Sequence, residues 1–414
     1  MRTIRFCALA GLLFGLAFPA RHDAAEPISR VPAGAAEKAR ALLQKEIGAK
    51  VPGFSAAVAV NGALVWSESS GYADLANRIK VTSRTRFRIG SISKPLTAAA
   101  LALLVERGQL DLDAPIQTYI PDFPKKSSPI TVRLLAGHLR GLRDYRPGEG
   151  LSDVAYPDAR SRLKIFEADP LEAPPGERFH YSSYNWCVIE VAMERASHQD
   201  FISYMHANVI KPLRLDDTCA EQTDSVDPQR TRFYEVDPSG VFVIGPHVDN
   251  RYAWAAGVYL STAEDLVRFG SALLAPGFLK ASSLKMLFTS QVTAAGEPTG
   301  YGVGWFIWHQ RVIYHSGESV GGVVILLLLP ASHIVAAILT NRGNLQMLQA
   351  LQRNSQKPQA IGQRRRPIRT GHDQPIEPAR NFKQRIQMGI GLRGHNLDRG
   401  QAQHLGAVCL QRLR

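Results

Sequence analysis

The sequence predicts an α+β fold, on three observations. Two β-rich runs joined by a tight-turn signal open the body, a proline-punctuated and mostly helical stretch fills its middle, and the last third returns to strands. Strands at the two ends of the body are then expected to meet in one antiparallel sheet, with the helical middle packed beside it.

Each element has a local reason. The residues from Gly53 to Val60 and from Ala63 to Ser69 are β-rich, and Asn61-Gly62 between them is the strongest short hairpin signal. From Leu96 to Glu106 the chain is apolar almost throughout and ends at Gly108, which predicts a helix buried on most sides. A mixed, mainly helical region follows to about residue 230, broken by Pro115, Pro121, Pro124, Pro129 and Pro174-Pro175-Gly176. Ser261-Thr262-Ala263-Glu264 reads as a capping box opening a helix from Ala263 to Leu274. Four strands are expected to close the body: Gly302 to Trp308, Arg311 to His315, Val323 to Leu329 and Ile334 to Leu339.

The 414 residues carry a formal charge of +13, but the excess is local. Residues 351–414 hold 13 Lys/Arg against 3 Asp/Glu, a surplus of 10, so the first 350 residues carry only +3. A nearly balanced body gives no reason to expect a specific nucleic-acid partner. The Arg- and Gln-rich tail from 351 has no sustained apolar period and is expected to be disordered. At the other end, Met1-Arg2-Thr3-Ile4-Arg5 precedes an apolar run from Phe6 to Phe18, the pattern of a secretory signal cleaved by about residue 25. That run is shorter than the ~20 residues of a membrane-spanning helix, and no later segment reads as one. The division is thus a signal over 1–25, a domain over 36–350 and a tail over 351–414. The expected location is secreted or periplasmic; a mitochondrial presequence is the alternative, because no acidic residue precedes Asp23. Of four cysteines, only Cys187 and Cys219 fall in the body, and they are expected to be free thiols without metal-ligand spacing.

The chemistry-bearing stretch is Arg88-Ile89-Gly90-Ser91-Ile92-Ser93-Lys94-Pro95-Leu96-Thr97. It sets Ser91 and Lys94 at i and i+3, one helical turn apart, so that a serine nucleophile faces a possible proton acceptor. The spacing alone is weak, since Ser161/Lys164 and Ser282/Lys285 share it. Two further elements strengthen it, Tyr181-Ser182-Ser183 and His315-Ser316-Gly317. Together they form the three-part layout of penicillin-recognising serine hydrolases.

With these residues the chain resembles the serine β-lactamase/transpeptidase superfamily, on the side of class C β-lactamases, D-Ala-D-Ala carboxypeptidases and related esterases. Among these it is most similar to the mitochondrial serine β-lactamase-like proteins and their bacterial relatives. The stretches that carry the likeness run colinearly over residues 36–345. They include Gly71-Tyr72-Ala73-Asp74, Gly108 to Asp113, Arg133 to Leu139, Val248-Asp249-Asn250 with Trp254, and His315 to Gly322. The resemblance implies a five-stranded antiparallel sheet flanked by helices, a helical subdomain beside it, and a site at their junction. It implies Ser91 as nucleophile, Lys94 and Tyr181 as catalytic partners, and the backbone N–H groups of Ser91 and Glu318 as an oxyanion hole. It places Ser183, His315, Ser316, Gly317 and Glu318 where substrate binds. No cofactor and no metal are expected.

Lys94 and Tyr181 both have reference pKa values of ~10, and either needs a shift of about three to act as base near neutrality. A Tyr181 phenolate beside cationic Lys94 and a neutral Lys94 beside protonated Tyr181 are both consistent with the sequence. Two residues depart from the β-lactamase pattern. Ser183 stands where an amide is usual, and His315 where lysine is common, so a carboxylate anchor would exist only when His315 is protonated. His138 reads as an interior residue. The expected function is therefore a serine hydrolase working through a Ser91 acyl-enzyme on peptides or esters, peptidase, carboxypeptidase or esterase-like. A catalytically weak or inactive binding or scaffold protein on the same fold is the alternative, suggested by the short final helix from Asn344 to Arg353.

Overall fold

The computed structural model describes residues 34–343, apart from Ala49, Arg140, Pro147, Thr223, Asp224, Ser225 and Gln310. The signal segment, the helix expected from Asn344 and the tail from 351 lie outside the described residues.

The chain begins with α1 (Ala35–Leu43) and the hairpin β1 (Gly53–Val60) and β2 (Ala63–Asp74), then the short strands β3 (Ile79–Lys80) and β4 (Phe87–Arg88). Asn61 and Gly62 both take positive φ, 50° and 81°, the conformation a two-residue hairpin with the right-handed strand twist demands. A helical middle follows: α2 (Ser93–Glu106), α3 (Val132–Ala136), α4 (Ala159–Arg162), α5 (Tyr184–Ser197) and α6 (Phe201–Met205). Next come β5 (Cys219–Ala220), the hairpin β6 (Tyr234–Val236) and β7 (Phe242–Ile244), α7 (Trp254–Gly257), β8 (Tyr259–Ser261), α8 (Ala263–Leu274) and α9 (Ala281–Phe288). The body closes with β9 (Phe306–Trp308), β10 (Val312–Ser319), β11 (Gly322–Leu329) and β12 (Ile334–Thr340).

The main sheet runs β3-β2-β1-β12-β11-β10-β9 and is antiparallel throughout. It has seven strands where five were expected. The five long ones are those anticipated, and β3 and β9 extend the two edges by two and three residues. β9 is shorter than the expected run from Gly302, because Gly304 at φ 77° turns the chain before Phe306. The first and last long strands meet at the centre, with Phe54 opposite Thr340 and Val60 opposite Ile334.

The core fills the space between this sheet and the helices. In α2 twelve of fourteen residues are buried, from Ser93 to Leu104, so the helix runs through the interior as its composition predicts. The α8 helix has the expected span, but its cap is Thr262, whose hydroxyl accepts from the Asp265 N–H; Glu264 instead accepts a hydrogen bond from Ser67. Cys187 and Cys219 are free thiols. Among the described residues no helix is long and apolar enough to cross a membrane.

Candidate active site

Ser91 sits in a single 3₁₀ turn, Gly90–Ile92, that leads directly into α2, and Lys94 occupies the first turn of that helix. Ser91 Oγ and Lys94 Nζ are 2.9 Å apart, and Lys94 Nζ also donates to the Ala256 carbonyl at 2.7 Å. The lysine has no exposed surface. Burial pushes its pKa down to about 7, against a smaller opposing pull from Asp144. The residue just before that acceptor is held in turn: Glu190 takes the Ala255 N–H at 3.1 Å and Thr97 donates to the Ala255 carbonyl at 3.1 Å. The other two pairs of the same spacing lack this setting. Ser161 serves in the capping box of α4 with Asp158, and Ser282 and Lys285 are exposed on α9.

Tyr181 approaches from the loop ahead of α5, close enough for a hydrogen bond with the Ser91 side chain. Lys94 Nζ lies 5.0 Å from its ring centroid. Burial raises the Tyr181 pKa, only partly offset by the bond to Ser91, so the phenol keeps its proton. The charge assignment left open by the sequence therefore leans one way: a neutral Lys94 beside a protonated Tyr181.

The backbone of β10 completes the cleft. A methyl group added at Gly317 would collide with the Ile89 carbonyl and lie 3.2 Å from the Ser91 nitrogen; one added at Gly90 would lie 2.7 Å from the Glu318 nitrogen. Gly90 also needs φ 51°. Two glycines thus allow β10 to pack closely against the turn that carries Ser91. Ser316 is partly exposed at this edge, and Glu318 is exposed.

Ser183 and His315 are both buried beside the site. Ser183 is buried at the start of α5, its N–H donating to Asp144 at 2.9 Å. His315 is 1 % exposed, and burial followed by the charge of Lys94 lowers its pKa to about 3. It is a neutral interior group at every ordinary pH. Burial of this side chain works against the cationic His315 that would anchor a carboxylate.

Three further residues stand beside the site; of these the sequence singled out only His138, as the interior residue that it is. His138, at φ 55°, stacks on Tyr181 with ring centroids 4.3 Å apart, and its Nδ1 accepts the Ser182 N–H at 3.2 Å. Asp144 underlies Ser183 and faces Lys94, with burial raising its pKa. Tyr301 bonds His315. His138 lies within the stretch from Arg133 to Leu139 and Asp144 a few residues beyond it, but contact with Tyr181 or Lys94 is made only by the tertiary fold. Among the described residues no cluster of His, Cys, Asp and Glu is arranged to hold a metal ion.

A sheet closed by its own terminal strands, a helical layer, and a serine and lysine at their junction define a β-lactamase/transpeptidase-like protein. The same architecture occurs in the octameric penicillin-binding protein homologue from Pyrococcus abyssi, with TM-score 0.64 and 25 % identity over 75 % of this chain and 73 % of that one. A D-stereospecific amidohydrolase from Streptomyces sp. shares the fold at TM-score 0.62 and 24 % identity, covering 75 % of this chain and 98 % of its own. In sequence, the serine beta-lactamase-like protein LACTB, mitochondrial, of Homo sapiens is 31 % identical over 74 % of each chain. The Beta-lactamase family model matches residues 38–357, and the chain belongs to that family.

Proposed function

We propose that the chain is a serine hydrolase that forms an acyl-enzyme on Ser91, with Lys94 as proton acceptor, acting on peptides or esters rather than chiefly on β-lactams. The observation that carries this reading is the 2.9 Å approach of Ser91 Oγ to a fully buried Lys94 amine whose pKa falls to about 7. Near neutrality a large share of that amine has a lone pair to take the Ser91 proton as Oγ attacks the acyl carbon. The oxyanion formed meets the Ser91 and Glu318 amides. Tyr181, kept as a phenol, donates its proton to the leaving group and regains one from Lys94. Water then attacks the ester, passing its proton back along the same route, and Ser91 is released.

The preference among substrates follows from His315 and Ser183. A neutral imidazole offers no positive charge to a carboxylate, and a buried serine lacks the two amide groups that would grip a substrate carbonyl. Export is the place of action that Met1–Arg5 and the apolar run after it support, with the organelle of the LACTB relative as the alternative.

The test is the intact mass of the protein after exposure to a fluorophosphonate, with Ser91→Ala alongside. A single adduct lost in the variant is the expected result. No adduct on a folded wild-type protein would sink the reading and favour the non-catalytic scaffold. Given an adduct, p-nitrophenyl esters and aminoacyl amides should turn over faster than a chromogenic cephalosporin.

A further inference from the structure

Tyr301 belongs to none of the motifs above. It is fully buried in the turn ahead of β9, and its hydroxyl lies 3.1 Å from His315 Nε2. Across the ring, His315 Nδ1 lies 2.7 Å from the Ser316 carbonyl oxygen. A carbonyl can only accept, so Nδ1 carries the imidazole proton; Nε2 is then the lone-pair nitrogen, and the Tyr301 hydroxyl is the donor. Both ring nitrogens are occupied, and the tautomer follows from the partners.

The titratable groups facing this imidazole are Lys94 from α2, Tyr181 and His138 from the loops beside α5 and α3, and Tyr301 itself. Phe306 of β9 packs on it with ring centroids 5.2 Å apart. The location matters for β10. β9 pairs with β10 only over Val312–Tyr314, and the bond from His315 to Ser316 ties the strand just beyond, one residue before the Gly317 contact with Ser91.

We propose that Tyr301 is a positioning residue: by donating to His315 Nε2 it holds the imidazole neutral in the Nδ1–H form, bonded to the Ser316 carbonyl. It thereby fixes β10 beside Ser91 and keeps His315 out of the proton path between Ser91, Lys94 and Tyr181. The kinetic consequence rests on the acyl-enzyme reading of Ser91; the tautomer does not.

Removing the hydroxyl leaves Nε2 buried without a donor. The proton can then move to Nε2, and the Ser316 carbonyl is released. The experiment is a long-range ¹H–¹⁵N spectrum of the imidazoles at neutral pH for the full chain and for Tyr301→Phe, with His315→Gln identifying the His315 signals. In the wild type, Nδ1 should show the protonated and Nε2 the unprotonated nitrogen shift; in Tyr301→Phe the two forms should mix or exchange. Fluorophosphonate acylation of Tyr301→Phe should slow by about tenfold at saturation, the effect of one buried hydrogen bond, with the half-saturating concentration unchanged.

A wild-type His315 in the Nε2–H or imidazolium form overturns the proposal, and this holds even where the variant fails to fold. A folded Tyr301→Phe that keeps the Nδ1–H form and the wild-type acylation rate also overturns it. Absence of any wild-type adduct would instead strike at Ser91 chemistry, leaving the tautomer to stand or fall on its spectrum.

Discussion

Burying an amine that touches only a hydroxyl and a carbonyl disfavours its charged form, and Lys94 shows what that implies for stability as well as for reaction. Its folded pKa is about 7 against 10.5 for an ordinary lysine. Between those values the unfolded chain holds a proton that the folded chain has released, so stability from this group rises with pH across that window and is lowest at pH 7 and below. The gap corresponds to a cost on the order of 4 kcal/mol at neutral pH. Lys94→Met should therefore raise the thermal midpoint while slowing fluorophosphonate acylation by at least about a thousandfold. A variant both slower and less stable would mean that the lysine holds the fold rather than strains it. In the wild type, acylation should climb with pH through about 7 and then level off. A rate that is flat from about pH 5 to 9 would exclude Lys94 as the base.

At the scale of elements, the reactive geometry depends on how closely β10 approaches the turn before α2. Gly317→Ala should slow acylation by on the order of a hundredfold, because the added methyl would meet the Ile89 carbonyl and push β10 away from the turn that carries Ser91. Far-UV circular dichroism should not change; a loss of secondary structure would place Gly317 in the general packing instead. The parts legible in the sequence were those whose cause is local. The Asn61-Gly62 hairpin, the span of α8 and the Ser91–Lys94 spacing each depend on residues within one turn of each other. What escaped was set by tertiary contact. The edge strand β3 is too short to show a period, and β9 was expected but begins only at Phe306. The cap of α8 falls on Thr262, one residue beyond the start of the expected box, since side-chain geometry decides between adjacent hydroxyls. His315 was identified as a site position, but its protonation was left open, because it depends on burial that is visible only once Tyr301, Phe306 and Tyr181 surround it. Tyr301 meets His315, and His138 meets Tyr181, only through the tertiary fold, so no spacing could reveal those contacts.

Across the whole molecule, the site is braced by a buried ion pair that joins the small β4-β8-β5 sheet to the main one. Arg88 grips Glu221 through two hydrogen bonds of 2.7 and 2.9 Å and donates to the Val320 carbonyl, in the turn between β10 and β11, at 3.0 Å. Both partners are almost fully buried. Glu221→Gln leaves the guanidinium buried without its counter-charge and should cost about 3–5 kcal/mol in urea unfolding. Arg230, 3.4 Å from Glu221, loses the same counter-charge, so a cost under about 1 kcal/mol would mean that the buried pair does not brace the fold. One consequence of the closed sheet concerns synthesis. The Gly53 N–H donates to the Asn341 side chain, 288 residues further on, and β1 lies between β2 and β12 at the centre of the sheet. On the ribosome the first hairpin emerges long before its second neighbour exists. It must wait with one apolar strand edge open for almost the whole length of the body, a state that invites aggregation and gives chaperones a target. A chain broken anywhere before Ile334 would carry that open edge permanently.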